Sequence, residues 1–198
     1  MIKWKEYAPL RPDLKPTGFG PVIDDLERHA KSGHPMRNTR DPGNWAHELS
    51  HQVNSQIRAA RNNGFYALND RCLTLPEPDF TLDKVAKAVD KRNRGPSYNL
   101  YLIKMVRWWK NEPLYVLDEA TAYATGLEYA VAAGHQDQSR RNSANEFVTY
   151  SRVLLETTKK LDPDYPELEA LEAYINWNAD RVSRLTNKHD GTDSYVLW

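Results

Sequence analysis

Apolar residues recur every three or four positions along most of the chain, which is the spacing of one face of a helix. This pattern predicts helices at 22–33, 44–60, 81–94, 99–111, 114–133, 143–161 and 166–187. The last two are expected to pack as an antiparallel pair in the C-terminal part, 140–187. The pattern therefore favours the mainly α class, or α+β if a small sheet is present.

Two segments depart from helical spacing. Residues 65–75 contain two short apolar runs around Asn69-Asp70, which predicts a β-hairpin or small sheet. Residues 1–21 are rich in proline and are expected to form an extended arm laid over the domain. A length of 198 residues suits one domain with a substantial core, so a single domain covering 1–198 is expected.

The predicted helix at 44–60 has one apolar and one polar face. At about 100° per residue, one arc contains the apolar side chains of Trp45, Ala46, Leu49, Val53 and Ile57. The opposite arc contains His47, His51, Asn54 and Arg58. Both histidines therefore lie on the polar face, one helical turn apart.

The polar face carries His47-Glu48-Leu49-Ser50-His51, an H-E-x-x-H motif. Two imidazoles in this relation can bind one metal ion, and the glutamate between them can accept a proton from a metal-bound water. The alternative interpretation is a solvated helix with two surface histidines. A catalytic zinc also needs a third protein ligand and one open position for water, so the rest of the chain must supply that ligand.

The predicted helix at 114–133 is rich in alanine and carries few charges other than Asp118 and Glu119. Two adjacent carboxylates in an apolar helix are costly to bury unless they are paired or bound to metal. Glu119 shares a helix face with Tyr123 and Gly126, and the glycine allows another backbone to approach closely. The alternative is that both acids complement the dipole at the helix N-terminus.

The segments 44–60 and 114–130 together resemble zincin metallopeptidases of the gluzincin type, in which a glutamate on a later helix is the third zinc ligand. The resemblance implies that His47, His51 and Glu119 bind one Zn²⁺ per chain. It also implies a zincin-like domain in which the H-E-x-x-H helix packs against the second ligand-bearing helix.

Three positions distinguish this chain from related zinc-binding patterns. The metzincin pattern requires glycine and histidine where this chain has Asn54 and Ile57, so that variant is excluded. The gluzincin pattern often has a further acid four residues after the ligand glutamate, where this chain has Tyr123. Asp118 can instead form a hydrogen bond with a ligand histidine and fix its tautomer.

Other side chains are alternative third ligands. Asp193 lies in a segment faintly similar to the signature of zincins with an aspartate ligand, but that segment lacks one intervening residue. Three histidines outside the motif, at His34, His135 and His189, are also possible. A histidine in a loop is more often solvated, so Glu119 remains the first choice.

The resemblance implies a hydrolytic mechanism in which Glu48 is the general base and later returns the proton to the leaving amine. The oxyanion needs a further hydrogen-bond donor. Tyr123 is the first choice for this donor and Tyr98 the second, with Tyr66, Arg94 and His135 as alternatives. A peptide or protein substrate is expected to lie along a strand of the 65–75 hairpin, since zincins commonly bind peptides at a sheet edge.

Composition narrows the class of partner. The 27 basic and 27 acidic residues give a formal net charge of zero and are interspersed, so nucleic acid and membrane partners are not expected. No apolar segment at the N-terminus has the character of a signal peptide, and the single cysteine, Cys72, fits a reducing compartment. A cytoplasmic location is therefore expected.

Three functions fit these observations. The first is a zinc-dependent peptidase that hydrolyses an amide bond. The second is a helical binding or scaffold module with a zincin fold and a structural metal or none. The third is zinc-dependent hydrolysis of a non-peptide amide. The intact motif, including Glu48, favours an enzyme, and the sequence pattern does not predict the oligomeric state.

Overall fold

The computed structural model describes residues 1–33, 40–59 and 62–189. The described part of the chain is mainly helical, with α1 Pro21–His29, α2 Pro42–Ile57, α3 Leu82–Ala88, α4 Tyr115–Ala132, α5 Gln138–Leu161 and α6 Leu168–His189. A 3₁₀ turn at Lys91–Asn93 and a π-helical segment at Tyr98–Lys104 connect α3 to α4. The predicted mainly helical class is confirmed. No helix among the described residues is long and apolar enough to cross a bilayer.

A small antiparallel sheet accompanies the helices. Its strands are β1 Lys5–Glu6, β2 Asn62–Tyr66 and β3 Arg71–Pro76, in the order β1-β3-β2. The β2–β3 pair is the predicted hairpin and runs from Asn62 opposite Pro76 to Tyr66 opposite Cys72. Strand β1 was not predicted, because both of its residues are exposed and polar and give no apolar signal.

The hairpin turn has an unusual backbone. Leu68, Asn69 and Asp70 all have positive φ angles, of 62°, 52° and 60°. Asn and Asp tolerate this left-handed region better than other residues with a side chain, which explains why Asn69-Asp70 marks the turn. The turn carries Asp70 out beyond the sheet, where its main-chain oxygen accepts a hydrogen bond of 2.7 Å from the Tyr7 amide.

Helix α4 lies at the centre of the molecule and packs against α2, α5 and α6. Most of its side chains are buried, in keeping with its low charge and high alanine content. At Gly126 a side chain would collide with the carbonyl oxygen of Gly43, at the start of α2. The small residues of α4 therefore permit the close approach to α2 that the sequence predicted.

The C-terminal helices α5 and α6 pack against each other, as expected for 140–187. Helix α5 begins earlier than predicted, because Asp137 is its N-cap and accepts a hydrogen bond of 2.9 Å from the amide of Arg140. Helix α2 also begins earlier, because Asp41 and not Asn44 is the N-cap and Pro42 occupies the first turn. These side-chain caps decide the boundaries, and apolar spacing does not detect them.

The prediction of a regular buried helix at 99–111 was wrong. The segment is π-helical only to Lys104 and then continues through turns, and Leu100, Ile103 and Trp108 are 45%, 49% and 64% exposed. Tyr98 and Leu102 point into the core. The apolar side chains of this segment point in all directions. Contact with the core on one side cannot cover all of them, so several remain at the surface.

Candidate metal centre

The packing of α2 against α4 brings the three predicted zinc ligands together. The possible ligand atoms of His47, His51 and Glu119 all lie within 4.8 Å of one another. The two Nε2 atoms are 3.0 Å apart and lie 3.7 and 3.6 Å from Glu119 Oε2. Ligand atoms bound tetrahedrally to zinc at about 2.1 Å are separated by about 3.4 Å. The observed spacing fits one zinc ion without rearrangement of the helices.

The polar face of α2 is covered by α4 rather than by water. His47 is 5% exposed and Glu119 is 3% exposed, so both side chains are buried. The interpretation of α2 as a solvated helix with two surface histidines is therefore wrong for His47. His51 is more accessible, with 23% of its side chain exposed. The centre thus has a buried side and an open side.

Asp118 orients the more exposed histidine. Its Oδ2 lies 2.7 Å from His51 Nδ1, so the ring directs Nε2 towards Glu119. Its Oδ1 accepts a hydrogen bond of 2.7 Å from Asn54 Nδ2, and Asn54 Oδ1 accepts one of 2.7 Å from the amide of Tyr66. Carboxylates that bind the far nitrogen of a ligand histidine are a general feature of zinc sites. The sequence had allowed this role for Asp118.

Glu119 has one carboxylate oxygen engaged and one without a donor. The hydroxyl of Tyr115, one turn earlier on α4, donates a hydrogen bond of 2.6 Å to Oε1. Oε2 is buried and accepts no hydrogen bond within the described chain. A buried carboxylate oxygen without a donor is costly, and a bound cation would satisfy it. This environment does not match the alternative in which Glu119 only complements the helix dipole.

The electrostatics of the two histidines differ. Burial, with smaller contributions from the charges of His51 and Arg140, holds the pKa of His47 well below its ordinary range. Burial also lowers the pKa of His51, but the charge and hydrogen bond of Asp118, followed by the nearby carboxylate of Glu119, outweigh it and raise this pKa well above the ordinary range. His47 is therefore a neutral imidazole near neutral pH, and its Nε2 lies 3.0 Å from His51 Nε2.

A cavity of about 450 Å³ opens beside these side chains. Glu48 lines it together with His47, His51 and Glu119, so the motif glutamate faces the same space as the three ligands. Its opposite wall comes from the π-helical segment and the turns after it, through Leu100, Tyr101, Met105 and Trp109. The volume is sufficient for a water molecule and part of a substrate.

The predicted hydrogen-bond donor Tyr123 lies behind the centre. Its ring contacts that of His47, with centroids 4.5 Å apart, and its hydroxyl lies 2.8 Å from the hydroxyl of Tyr101. Tyr101 lines the cavity, and Tyr123 is not among its lining residues. Burial raises the pKa of both hydroxyls, with the charge of Glu119 also raising that of Tyr101. Both remain protonated donors at neutral pH.

The other predicted donors are engaged elsewhere. The hydroxyl of Tyr98 donates to the carbonyl oxygen of Ala86, and Arg94 donates to that of Val89. Sequence reasoning missed Tyr101 and Tyr115. The spacing indicates a role for Tyr115, because it lies four residues before Glu119 on the same helix face. Tyr101 has no such indication in the sequence, because an irregular segment brings it to the cavity.

The alternative third ligands are either distant or outside the described chain. His135 packs against the ring of Tyr129. His34, Asp193 and the side chain of His189 lie outside the described residues. Among the described ligand candidates, Glu119 is the carboxylate that meets both motif histidines.

A second group of possible ligand atoms lies between α1 and the hairpin turn, formed by Asp25, His29 and Asp70. His29 is fully buried, with Nδ1 at 2.7 Å from the main-chain oxygen of Asp25 and Nε2 at 2.9 Å from Asp70 Oδ1. The hydroxyl of Tyr66 donates to Asp25 Oδ2 at 2.9 Å. The group is thus a hydrogen-bonded network that ties α1 to the sheet.

Comparison of the chain with protein-family models, with curated proteins and with solved structures gave no match.

Proposed function

We propose that this protein is a zinc-dependent peptidase with a zincin-like domain. The observation that carries the proposal is the convergence of His47 Nε2, His51 Nε2 and Glu119 Oε2 beside Glu48 in one cavity. Three protein ligands with an open side are the arrangement of catalytic zinc sites, whereas structural sites usually have four protein ligands. The unsatisfied Oε2 of Glu119 adds support, because a metal ion would supply its missing partner.

His47, His51 and Glu119 would hold the zinc, and Asp118 would fix the orientation of His51. When bound, zinc would lower the pKa of a coordinated water and polarise the carbonyl group of a substrate. Glu48 lines the same cavity and would accept the proton of the attacking water. It would then give this proton to the leaving amine, which completes amide hydrolysis.

Tyr101 is the tyrosine best situated to donate a hydrogen bond to the developing oxyanion. Its hydroxyl belongs to a side chain that lines the cavity, and Tyr123 supports it from behind at 2.8 Å. In this proposal Tyr123 acts through Tyr101 and does not itself contact the substrate. A Tyr101→Phe variant should lose activity by about 10²-fold, while a Tyr123→Phe variant should lose less.

Gly64, on the side of β2 that faces away from β3, would meet the main chain of a peptide. Adjacent residues of an antiparallel strand point their hydrogen-bonding groups alternately towards and away from the partner strand. The amide of Tyr66 bonds to Asn54 and that of Asn62 bonds to Ala59, so both point away from β3. Gly64 lies between them, faces the same way and lines the cavity. Because Tyr66 and Asn62 are already bonded, Gly64 would pair with one residue of a peptide main chain, which favours a peptide over a small amide.

The experiment compares metal content with hydrolysis. Purified protein should contain about one zinc per chain and should cleave an unfolded protein such as reduced casein. Glu48→Gln should retain the zinc and lose hydrolysis by about 10³-fold or more. The matched control is Glu169→Gln, which changes an exposed glutamate of α6 and should leave both measurements unchanged.

Two outcomes would remove the proposal. Protein that takes up no zinc would have no metal centre of this kind. Protein that binds zinc but cleaves casein no faster than the Glu48→Gln variant would fit the alternative of a zinc-containing binding or scaffold module.

A further inference from the structure

The segment 98–110 forms an exposed apolar surface beside the cavity, here named the 98–110 rim. Three of its large apolar side chains, Leu100, Ile103 and Trp108, are 45%, 49% and 64% exposed. Large apolar side chains exposed together on one segment mark interaction sites more often than isolated ones do. Trp108 is the most exposed of the three, and the guanidinium of Arg107 lies 4.7 Å from its ring centroid.

The rim is also positively charged. The rim contains three lysine or arginine residues, Lys104, Arg107 and Lys110, and no acidic residue, although the whole chain has a formal net charge of zero. Lys104, Arg107 and Lys110 are exposed, and no ion pair between any of them and an acid occurs in the part of the chain that the structure describes. Elsewhere in the described chain, basic side chains commonly form ion pairs with acidic ones, as Arg58 does with Glu112 at 2.8 Å.

The rim continues into the cavity of the metal centre. Leu100 belongs to both, since it is 45% exposed and lines the cavity. Met105 and Trp109 also line the cavity, and each is next in sequence to an exposed lysine, Lys104 or Lys110. A polypeptide that enters the cavity would therefore pass an apolar wall bordered by positive charge.

We propose that the 98–110 rim selects polypeptide substrates that combine a large apolar residue with nearby aspartate or glutamate residues. This inference rests on the proposed peptidase function. The apolar side chain would pack on Trp108 and Leu100 and on the cavity-lining Met105 and Trp109, and the acids would pair with Lys104, Arg107 and Lys110. Apolar contact supplies affinity, and charge complementarity selects among apolar sequences.

An anionic membrane surface would also attract exposed tryptophan and lysine. Two observations favour a polypeptide instead. The apolar side chains of the rim run into a cavity that contains the candidate catalytic groups, and a bilayer could not follow them there. The same cavity is lined by Gly64 of β2, whose main chain faces away from β3 towards the space that a peptide would enter.

The test measures peptide binding separately from cleavage. Zinc-loaded Glu48→Gln protein is titrated with short fluorescent peptides that share a central Phe-Leu pair and carry glutamate, serine or lysine on both sides. The glutamate peptide should bind about tenfold more tightly than the lysine peptide at low salt, and the difference should shrink as salt is added. Adding Trp108→Ala to the Glu48→Gln protein should weaken its binding of the glutamate peptide about fivefold.

Charge reversal gives the sharpest control. Lys104→Glu with Arg107→Glu should abolish or reverse the preference for the glutamate peptide. The matched variant, Lys84→Glu with Lys160→Glu, reverses two exposed lysines of α3 and α5 and should leave the preference unchanged. Because all four side chains are exposed, the variants should keep their fold, which circular dichroism and zinc content will check.

Equal affinity for the three peptides, or an unchanged preference after reversal at Lys104 and Arg107, would overturn the inference. So would Trp108-dependent binding to phosphatidylserine vesicles without peptide discrimination, or a dimer that Trp108→Ala dissociates. Casein cleavage by wild-type protein without peptide discrimination would overturn this inference and leave the peptidase function in place. Selective peptide binding without cleavage would support peptide selection by the rim and overturn the proposed hydrolysis.

Discussion

Within the described ranges 1–33, 40–59 and 62–189, two groups of histidine and carboxylate side chains have ligand atoms close enough to share a metal ion, but they differ in how these atoms are used. In the first, between α2 and α4, Glu119 Oε2 is buried without a hydrogen-bond donor among the described residues and faces His47 and His51. In the second, between α1 and the hairpin, both nitrogens of His29 already have oxygen partners within 3 Å.

The proximity of possible ligand atoms therefore does not by itself indicate a metal site. The first group retains an unused acceptor and borders a cavity of about 450 Å³, so it keeps capacity for a ligand at some cost to the stability of the folded chain. The second group, with His29 and Asp25 buried, uses its polar atoms to join elements of the fold. We expect the first to bind zinc and the second to stabilise the protein.

The largest effect is expected from Glu119→Ala. Loss of a direct ligand should weaken zinc binding by about a thousandfold, more than the roughly 10- to 100-fold that loss of an outer hydrogen-bond partner costs. The zinc-free variant should also be less stable than the zinc-free wild type by about 1–3 kcal/mol, because the buried hydroxyl of Tyr115 loses its acceptor. Competition with a zinc chelator and urea unfolding measure the two effects. Asp70→Ala, in the second group, is the control and should bind zinc as the wild type does.

His29→Ala should produce the converse result. Removal of this fully buried side chain leaves a cavity and takes a partner from Asp70 and from the Asp25 carbonyl, so the free energy of unfolding should fall by about 3 kcal/mol. Zinc affinity of the folded protein should stay within a factor of about two. A large loss of zinc affinity at unchanged stability would contradict the distinction between the two groups.

Asp118→Asn should have an intermediate effect on zinc binding. The carboxylate serves both His51 Nδ1 and Asn54 Nδ2, and an amide can accept from only one side. Zinc affinity should fall by about 10- to 100-fold, measured by the same chelator competition. An affinity equal to that of the wild type would show that Asp118 does not hold His51 in its binding orientation.

Tyr115→Phe should have the smallest effect. It removes the hydrogen bond of 2.6 Å to Glu119 Oε1 but leaves the carboxylate in place, so zinc affinity should fall by about three- to tenfold. Tyr98→Phe is the matched control, because its hydroxyl bonds to the Ala86 carbonyl away from the cavity. Equal zinc affinities in the two variants would mean that Tyr115 does not position Glu119.

Much of the candidate metal centre was predictable from the sequence, because its residues lie on two helices. His47 and His51 share a face by helical geometry alone, and Glu119 was conspicuous as an acid in an apolar helix. The close packing of the two helices followed from Gly126, where no side chain would fit against Gly43. The fold class followed from apolar spacing for the same reason, since each helix covers its own stripe.

Features that depend on contacts distant in sequence were not predictable. Strand β1 exists because Lys5–Glu6 pairs with β3, and neither residue is apolar. Tyr101 reaches the cavity because the segment from Tyr98 leaves regular α-helical geometry, which no periodicity indicates. The second group formed by Asp25, His29 and Asp70 also escaped notice, because its residues come from a helix and a turn more than forty positions apart.

The most direct test is an anomalous diffraction measurement at the zinc edge on crystals of the wild-type protein grown with zinc. We expect one strong peak among His47 Nε2, His51 Nε2 and Glu119 Oε2, at about 2.1 Å from each ligand atom. We expect no peak between Asp25, His29 and Asp70. A peak at the second group, or no peak beside the two motif histidines, would contradict the assignment of zinc to the first group.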